Sequence, residues 1–220
     1  MAYHVKELFY TLQGEGLQAG RAAVFLRFAG CNLWSGLERD RASAACRFCD
    51  TDFVGTDGAG GGRFATAHEL ADRVLACWQQ SQSAPAGDAS ATPAGYVVCT
   101  GGEPLLQLDA ALVDALHARG LQVAVETNGT QPAPPGLDWI CVSPKGDNAL
   151  VLTAGNELKL VYPQADAPPE RFLGLEFDHF LLQPMDGAQQ AHNTRQAVAY
   201  CMAHPVWRLS VQTHKWLGIP

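Results

Sequence analysis

No stretch of this chain is apolar for long enough to cross a bilayer. Its first residues, Met-Ala-Tyr-His-Val-Lys-Glu, lack the charged-then-apolar pattern of a secretory leader. The expected compartment is therefore the cytoplasm, with no membrane partner. Nothing basic is concentrated anywhere and the formal net charge is −7, which argues against a nucleic-acid partner. No Gly-x-Gly-x-x-Gly follows the first strand-like run, so the dinucleotide-binding form of an open α/β sheet loses support. What remains is a globular composition, 47% hydrophobic and 17% charged. Residues 1–220 suffice for a single domain with a core of its own.

What is present begins with sulfur. Seven cysteines is an odd number, and in a reducing compartment they read as ligands or buried thiols rather than disulfides. Cys77, Cys99, Cys141 and Cys201 fall in apolar helical or strand-like patterns and are expected to be small buried side chains. Cys31, Cys46 and Cys49 differ, because all three lie in one loop-like segment, 30–51. A Cys-x-x-Cys pair turns two sulfurs to one side, where they can share a soft metal centre. A third sulfur from the preceding loop gives three ligands, one fewer than a structural zinc or an ordinary iron–sulfur cubane takes. Three ligands leave one position open for chemistry. The competing reading is a structural zinc with histidine as the fourth ligand. No histidine lies between Cys31 and Cys49, and the nearest downstream, His68, falls in an expected helix. Spacing alone leaves both open.

Along the chain, Gly14, Gly16 and Gly20 mark a loop around Glu15. Residues 24–28 form an apolar run holding one charge, Arg27. Such an arginine needs an acidic partner, either in a structural ion pair or in a ligand carboxylate that its fork fits. The glycines of 58–62 read as a flexible connector, and Thr66 with Glu69 as a capping box opening a helix whose stripe is Leu70, Val74, Leu75 and Trp78. Residues 81–95, rich in Ser, Ala, Pro and Gly, are expected to be an exposed, mobile loop. Further strand-like runs cover 96–99, 121–125, 139–142, 158–162, 177–182 and 207–211, with helices expected over 108–119 and 194–203. This alternation fits an α/β fold, a partial or distorted parallel β/α barrel, with a doubly wound open sheet as the rival. Polar residues follow each run at once: Cys31, Thr100-Gly-Gly-Glu-Pro104, Glu126-Thr-Asn-Gly129, Ser143-Pro-Lys145, Gln183-Pro-Met-Asp186 and Gln212-Thr-His214. In a parallel barrel these ends open on one face, where active sites sit.

The cysteine loop with Phe48 before Cys49, and Gly101-Gly-Glu-Pro104 after the second run, resemble the radical S-adenosylmethionine (SAM) superfamily. Within it, Phe9-Tyr-Thr-Leu-Gln-Gly-Glu-Gly16, Gly30-Cys-Asn-Leu-Trp34, Cys49-Asp-Thr51 and Glu126-Thr-Asn-Gly-Thr130 are similar to the 7-carboxy-7-deazaguanine synthase family, over nearly the whole chain. The superfamily commonly spaces its cysteines three and then two residues apart. Here Ser35 stands at the expected second position and an insert delays the cysteine to Cys46, as in a subset of the family.

The resemblance implies a barrel core of about six strands and a [4Fe–4S] cluster on Cys31, Cys46 and Cys49. SAM would chelate the open iron, and an electron would cleave it to a 5′-deoxyadenosyl radical. That radical would take hydrogen from 6-carboxy-5,6,7,8-tetrahydropterin, giving 7-carboxy-7-deazaguanine with loss of ammonia and regeneration of SAM. SAM contacts are expected from Phe48, Asp50, Gly102, Glu103, Glu126, Asn128, Ser143, Pro144, Lys145, Gln183, Pro184, Met185 and Asp186. Substrate contacts are expected from Leu12, Gln13, Gly14, Glu15, Arg27, Thr100 and Pro220, the last folding back onto the substrate. Thr51 corresponds to a Mg²⁺-contacting position. A homodimer and an electron donor such as flavodoxin are the implied partners. The rival readings are a glycyl-radical activating enzyme and a zinc-binding interaction module.

Overall fold

The computed structural model describes residues 2–80 and 94–220. Its strands are β1 (Tyr3–Leu12), β2 (Ala22–Phe28), β3 (Gly62–Phe64), β4 (Gly95–Gly101), β5 (Leu121–Thr127), β6 (Trp139–Val142), β7 (Ala154–Tyr162), β8 (Glu176–Pro184) and β9 (Trp207–Leu209). The helices are α1 (Ala67–Gln80), α2 (Ala110–His117), α3 (Gln190–Ala203) and α4 (Thr213–Leu217). Among the described residues the strands form one sheet in the order β3-β1-β2-β4-β5-β6-β7-β8-β9. From β2 to β9 every pairing is parallel and follows chain order, and β1 and β3 add an antiparallel margin. A doubly wound sheet would reverse strand order at a switch point; this one does not, and it stays open, as a partial barrel.

The strands alternate with period two. Val24, Leu26 and Phe28, with Val97, Cys99, Val123 and Val125, enter the core that packs against α1 and α2. Leu158, Leu160 and Leu182 do the same beside Phe172 and Trp207. The positions between them face the other way, and they include Arg27, Thr100, Glu126, Lys159 and Gln183. Charge therefore collects on the concave face without entering the helix-side core. α1 is opened as its sequence suggests. Thr66 Oγ1 accepts from Glu69 N at 3.1 Å and Glu69 Oε2 accepts from Ala65 N at 2.8 Å. Its buried stripe is Leu70, Ala71, Val74 and Trp78, with Leu75 half-buried.

Several expectations need correction. The first strand is not 24–28 but β1, where the register shifts between Val5 and Glu7; that irregularity breaks the alternation that would have revealed it. The glycines of 58–62 are not a loose connector. Gly58 N donates to Lys6 O, Leu8 N donates to Ala59 O, and Gly62 pairs with Val5. A Cβ on Gly61 would lie 2.2 Å from Lys6 O, so these glycines permit backbone-on-backbone contact. The helix expected over 108–119 is shorter, because Asp109 caps α2 by accepting from Leu112 N at 3.0 Å. Cys99 and Cys141 are buried as expected, whereas Cys77 and Cys201 are half-buried. Of the loop expected over 81–95, residues 81–93 lie outside the described residues, and Gly95 already opens β4.

Candidate functional site

The strand ends surround a cavity of about 550 Å³, within the usual range for small-molecule sites. Leu12, Gln13, Gly14, Glu15, Arg27 and Thr100 line it, as do Phe48, Cys49, Asp50 and Thr51. So do Gly102, Glu126, Asn128, Ser143 and Lys145, and on the far side Gln183, Pro184, Met185, Asp186 and Pro220. Cys31, Cys46, Glu103 and Pro144 are not on the wall.

Glu103 stands behind it, fully buried. Its carboxylate accepts from Leu105 N at 3.0 Å, Thr127 Oγ1 at 2.7 Å and Asn128 N at 2.8 Å. Burial raises its pKa, and these bonds pull against that rise. It thus joins the glycine turn after β4 to the turn after β5. Asn128 extends the tie, donating to Asn32 Oδ1 at 3.0 Å, while Asn32 donates to Thr130 Oγ1 at 2.8 Å. The chain beside Cys31 is therefore fastened to the β5 turn. Gly102 lies beneath it, since a Cβ there would sit 2.3 Å from Gly30 O and 2.7 Å from Cys31 Cβ. On the next strand end Lys145 donates to Ser143 Oγ at 2.5 Å and lies 5.8 Å from the centre of the Phe48 ring. Gln164 supports Pro144 from below by donating to its carbonyl.

Arg27 finds the acidic partner its sequence position demands. Its Nε donates to Glu7 Oε1 at 2.6 Å, and both residues line the cavity. Thr100 is its register neighbour on β4. Gln13 is largely committed within the wall: Nε2 donates to Glu126 Oε1 at 2.8 Å and Oε1 accepts from Glu15 N at 3.0 Å. Pro220 does return to the cavity, its O accepting from Thr11 Oγ1 at 2.9 Å.

Sequence reasoning missed Lys159 and Lys215. Lys159, a charged position in an apolar strand run, is buried and lines the cavity. Its Nζ lies 2.6 Å from Glu15 Oε2 and 3.5 Å from Glu126 Oε1. Burial alone would lower its pKa, but Glu126 and Glu15 hold it well above the ordinary value. Burial alone would likewise raise the pKa of Glu15. Lys159, with help from Gln212 and Gln183, instead holds it at about 2. Both groups are ionised at neutral pH and the pair is fixed. The signal was available, since Lys159 interrupts an apolar run as Arg27 does. Lys215 was also missed: its Nζ bridges Asp50 at 2.9 Å and Asp186 at 2.6 Å, closing α4 over the rim. Thr213 secures the same helix by donating from N and Oγ1 to Gly14 O.

The cysteines are free thiols. Among the described residues no three His, Cys, Asp or Glu side chains already converge on one metal position. Burial raises the pKa of Cys31 and Cys46, and each feels the charge of Cys49, while Lys145 opposes the rise at Cys46. Three thiols of one segment, 30–51, are by their chemistry a donor set for soft iron–sulfur chemistry rather than for a hard cation. Thr51 and Asp50 supply oxygens on the cavity wall, the chemistry Mg²⁺ requires.

No family model matches the chain. Curated relatives do. The 7-carboxy-7-deazaguanine synthase of Bordetella pertussis is 67% identical over 220 residues, covering all of both chains. The enzyme of the same name from Burkholderia multivorans is 59% identical, again over all of both chains. That of Neisseria meningitidis is 34% identical, over 99% of this chain and 94% of its own. A solved structure, QueE from Escherichia coli, matches with a TM-score of 0.69 at 29% identity, covering 97% of this chain and 95% of that one.

Proposed function

The chain belongs to the 7-carboxy-7-deazaguanine synthase family and is an enzyme of that kind, and from that premise we propose how its cavity divides the work. It is a radical SAM lyase of queuosine biosynthesis, turning 6-carboxy-5,6,7,8-tetrahydropterin into 7-carboxy-7-deazaguanine with loss of ammonia. Cys31, Cys46 and Cys49 are the residues that would hold a [4Fe–4S] cluster. When bound, the cluster supplies an electron and SAM the hydrogen-abstracting group. The protein's own share is to bind, orient and shield.

The observation that carries this reading is the convergence of Cys49, Gly102, Arg27 and Lys159 on one cavity at the strand ends. Gly101 and Gly102 let backbone approach a SAM amino-acid moiety without a side chain between. Ser143 and Lys145 supply a donor pair for its carboxylate or ribose, and 183–186 form the wall for its adenine. Arg27, held at Nε by Glu7, has its remaining N–H groups for the substrate carboxylate. Glu126 and Glu15, fixed by Lys159 and Gln13, present acceptors to a donor-rich ring edge. Pro220 and α4 cover that edge and reduce access of water. Thr51 is the proposed Mg²⁺ contact, together with substrate oxygens.

The test is anaerobic reconstitution with iron and sulfide, followed by incubation with SAM, reductant and 6-carboxytetrahydropterin. The expected result is a brown protein that yields 7-carboxy-7-deazaguanine. A protein that binds zinc and stays colourless, or a Cys46→Ala variant that still forms deoxyadenosine, would overturn the cysteine assignment. The same solutions, sized on a column, report whether the chain dimerises. Flavodoxin in place of chemical reductant tests that donor.

A further inference from the structure

The insert between Cys31 and Cys46 contributes nothing to the cavity wall. Residues 38–43 make a 3-10 turn with no buried side chain. One side chain of this exposed turn nevertheless reaches inward. The Arg41 guanidinium lies over the Trp34 ring at 4.1 Å, and Trp34 is itself buried and meets Phe53 edge-on. Arg41 Nη1 donates to the carbonyls of Arg47 and Cys49, each at 3.0 Å. Its Nε donates to Glu38 Oε2 at 2.7 Å, which fixes the fork from the other side.

We infer that Arg41 is a positioning residue for the Cys46–Cys49 turn, and that the insert is a strap which delivers it. Residues 46–50 form no helix or strand, so no ladder holds their carbonyls. A single cation bonded to the carbonyls of Arg47 and Cys49, two positions apart, restrains the backbone between the two sulfurs. Stacking on Trp34 sets where that cation sits, and only a planar fork can stack and donate twice at once. The longer cysteine spacing thus carries its own brace. The purpose given to this brace rests on the reading of the three cysteines as cluster ligands; the brace itself is measurable without metal.

The experiment compares wild type, Arg41→Ala and Arg41→Lys. In the metal-free proteins, hydrogen exchange of the peptide covering 46–51 is expected to be about tenfold faster in Arg41→Ala, the factor for losing roughly one net charge-assisted bond. Exchange in β7 and β8 should be unchanged. Arg41→Lys keeps the charge but not the fork and should resemble the alanine variant. In reconstituted protein, iron release to a chelator should accelerate by a similar factor in both variants. Unchanged exchange at 46–51, or equal acceleration throughout the sheet, would overturn the strap. Full retention by Arg41→Lys would overturn the requirement for a fork. If wild type takes up no iron, the cluster reading falls, while the exchange comparison still decides the strap.

Discussion

Replacing Lys159 by methionine removes a cation buried beside Glu15, Glu126 and Glu157. Its Nζ is 2.6 Å from Glu15 and 3.5 Å from Glu126, with only 4% of its side chain exposed. Methionine fills much of the same volume, so the cost is electrostatic and not a cavity. Breaking a buried pair from one side costs about 3–5 kcal/mol. For a chain of this size that corresponds to a fall in Tm of roughly 6–20 °C. The pH dependence should change sign as well. In the native protein Glu15 titrates at about 2 against 4.5 when free. A depressed carboxyl stabilises above its unfolded pKa, so that contribution is present above pH 4.5 and drains away as the pH falls through the lower, folded value. Without Lys159, burial dominates and lifts the Glu15 pKa above its unfolded value, so the variant should gain stability on mild acidification. Glu15→Gln combined with Lys159→Met should recover part of the loss, because the orphaned charge is gone. Urea unfolding of metal-free protein at pH 7 and pH 5 measures all of this. A single variant within about 1 kcal/mol of wild type at pH 7, with the same acid response, would refute the reasoning.

Gly102→Ala would place a Cβ 2.3 Å from Gly30 O; the cysteine loop must shift, and iron content after reconstitution should fall by more than half, as colorimetric iron assay would show. Lys215→Ala removes partly exposed pairs to Asp50 and Asp186, worth under about 1 kcal/mol each; Tm should move by only a few degrees, but amide exchange over 213–219 should rise sharply, since α4 buries no side chain of its own. Asp109→Ala deprives Leu112 N of its cap and the buried Tyr3 hydroxyl of its partner at 2.8 Å. The expected loss is roughly 2–3 kcal/mol by denaturant titration, with Asp109→Asn recovering most of it.

The strand ends were the most legible part of the fold. Short apolar runs each followed by polar residues identified β4 through β9 nearly in place, and the turns after β4, β5, β6 and β8 did gather on one cavity, whereas after β2 only the far end of the cysteine loop, 48–52, reaches its wall and Cys31 does not. The β1 strand was illegible because its bulge breaks period two, and because its mixed residues face the cavity on one side and α1 on the other. The glycines of 58–62 were misread because flexibility and close backbone approach call for the same residue type. Glu103 stands behind the cavity and Gln13 in its wall, but their partners were invisible in the sequence: Glu103 bonds to Thr127 and Asn128, 24 and 25 residues on, and Gln13 to Glu126, 113 residues on.

By itself the sequence determined the sulfur spacing, the alternation that sends Arg27 and Lys159 to one face, and the glycines beneath the cysteine loop. Each of these is written in neighbouring residues. Only the tertiary structure decided that Lys159 neutralises Glu15, 144 positions away, that Lys215 spans Asp50 and Asp186, and that Arg41 braces the Cys46–Cys49 turn. Such pairings depend on where the whole sheet brings distant side chains, and Coulomb energy between buried charges is set by final separation and surroundings, which no local pattern encodes.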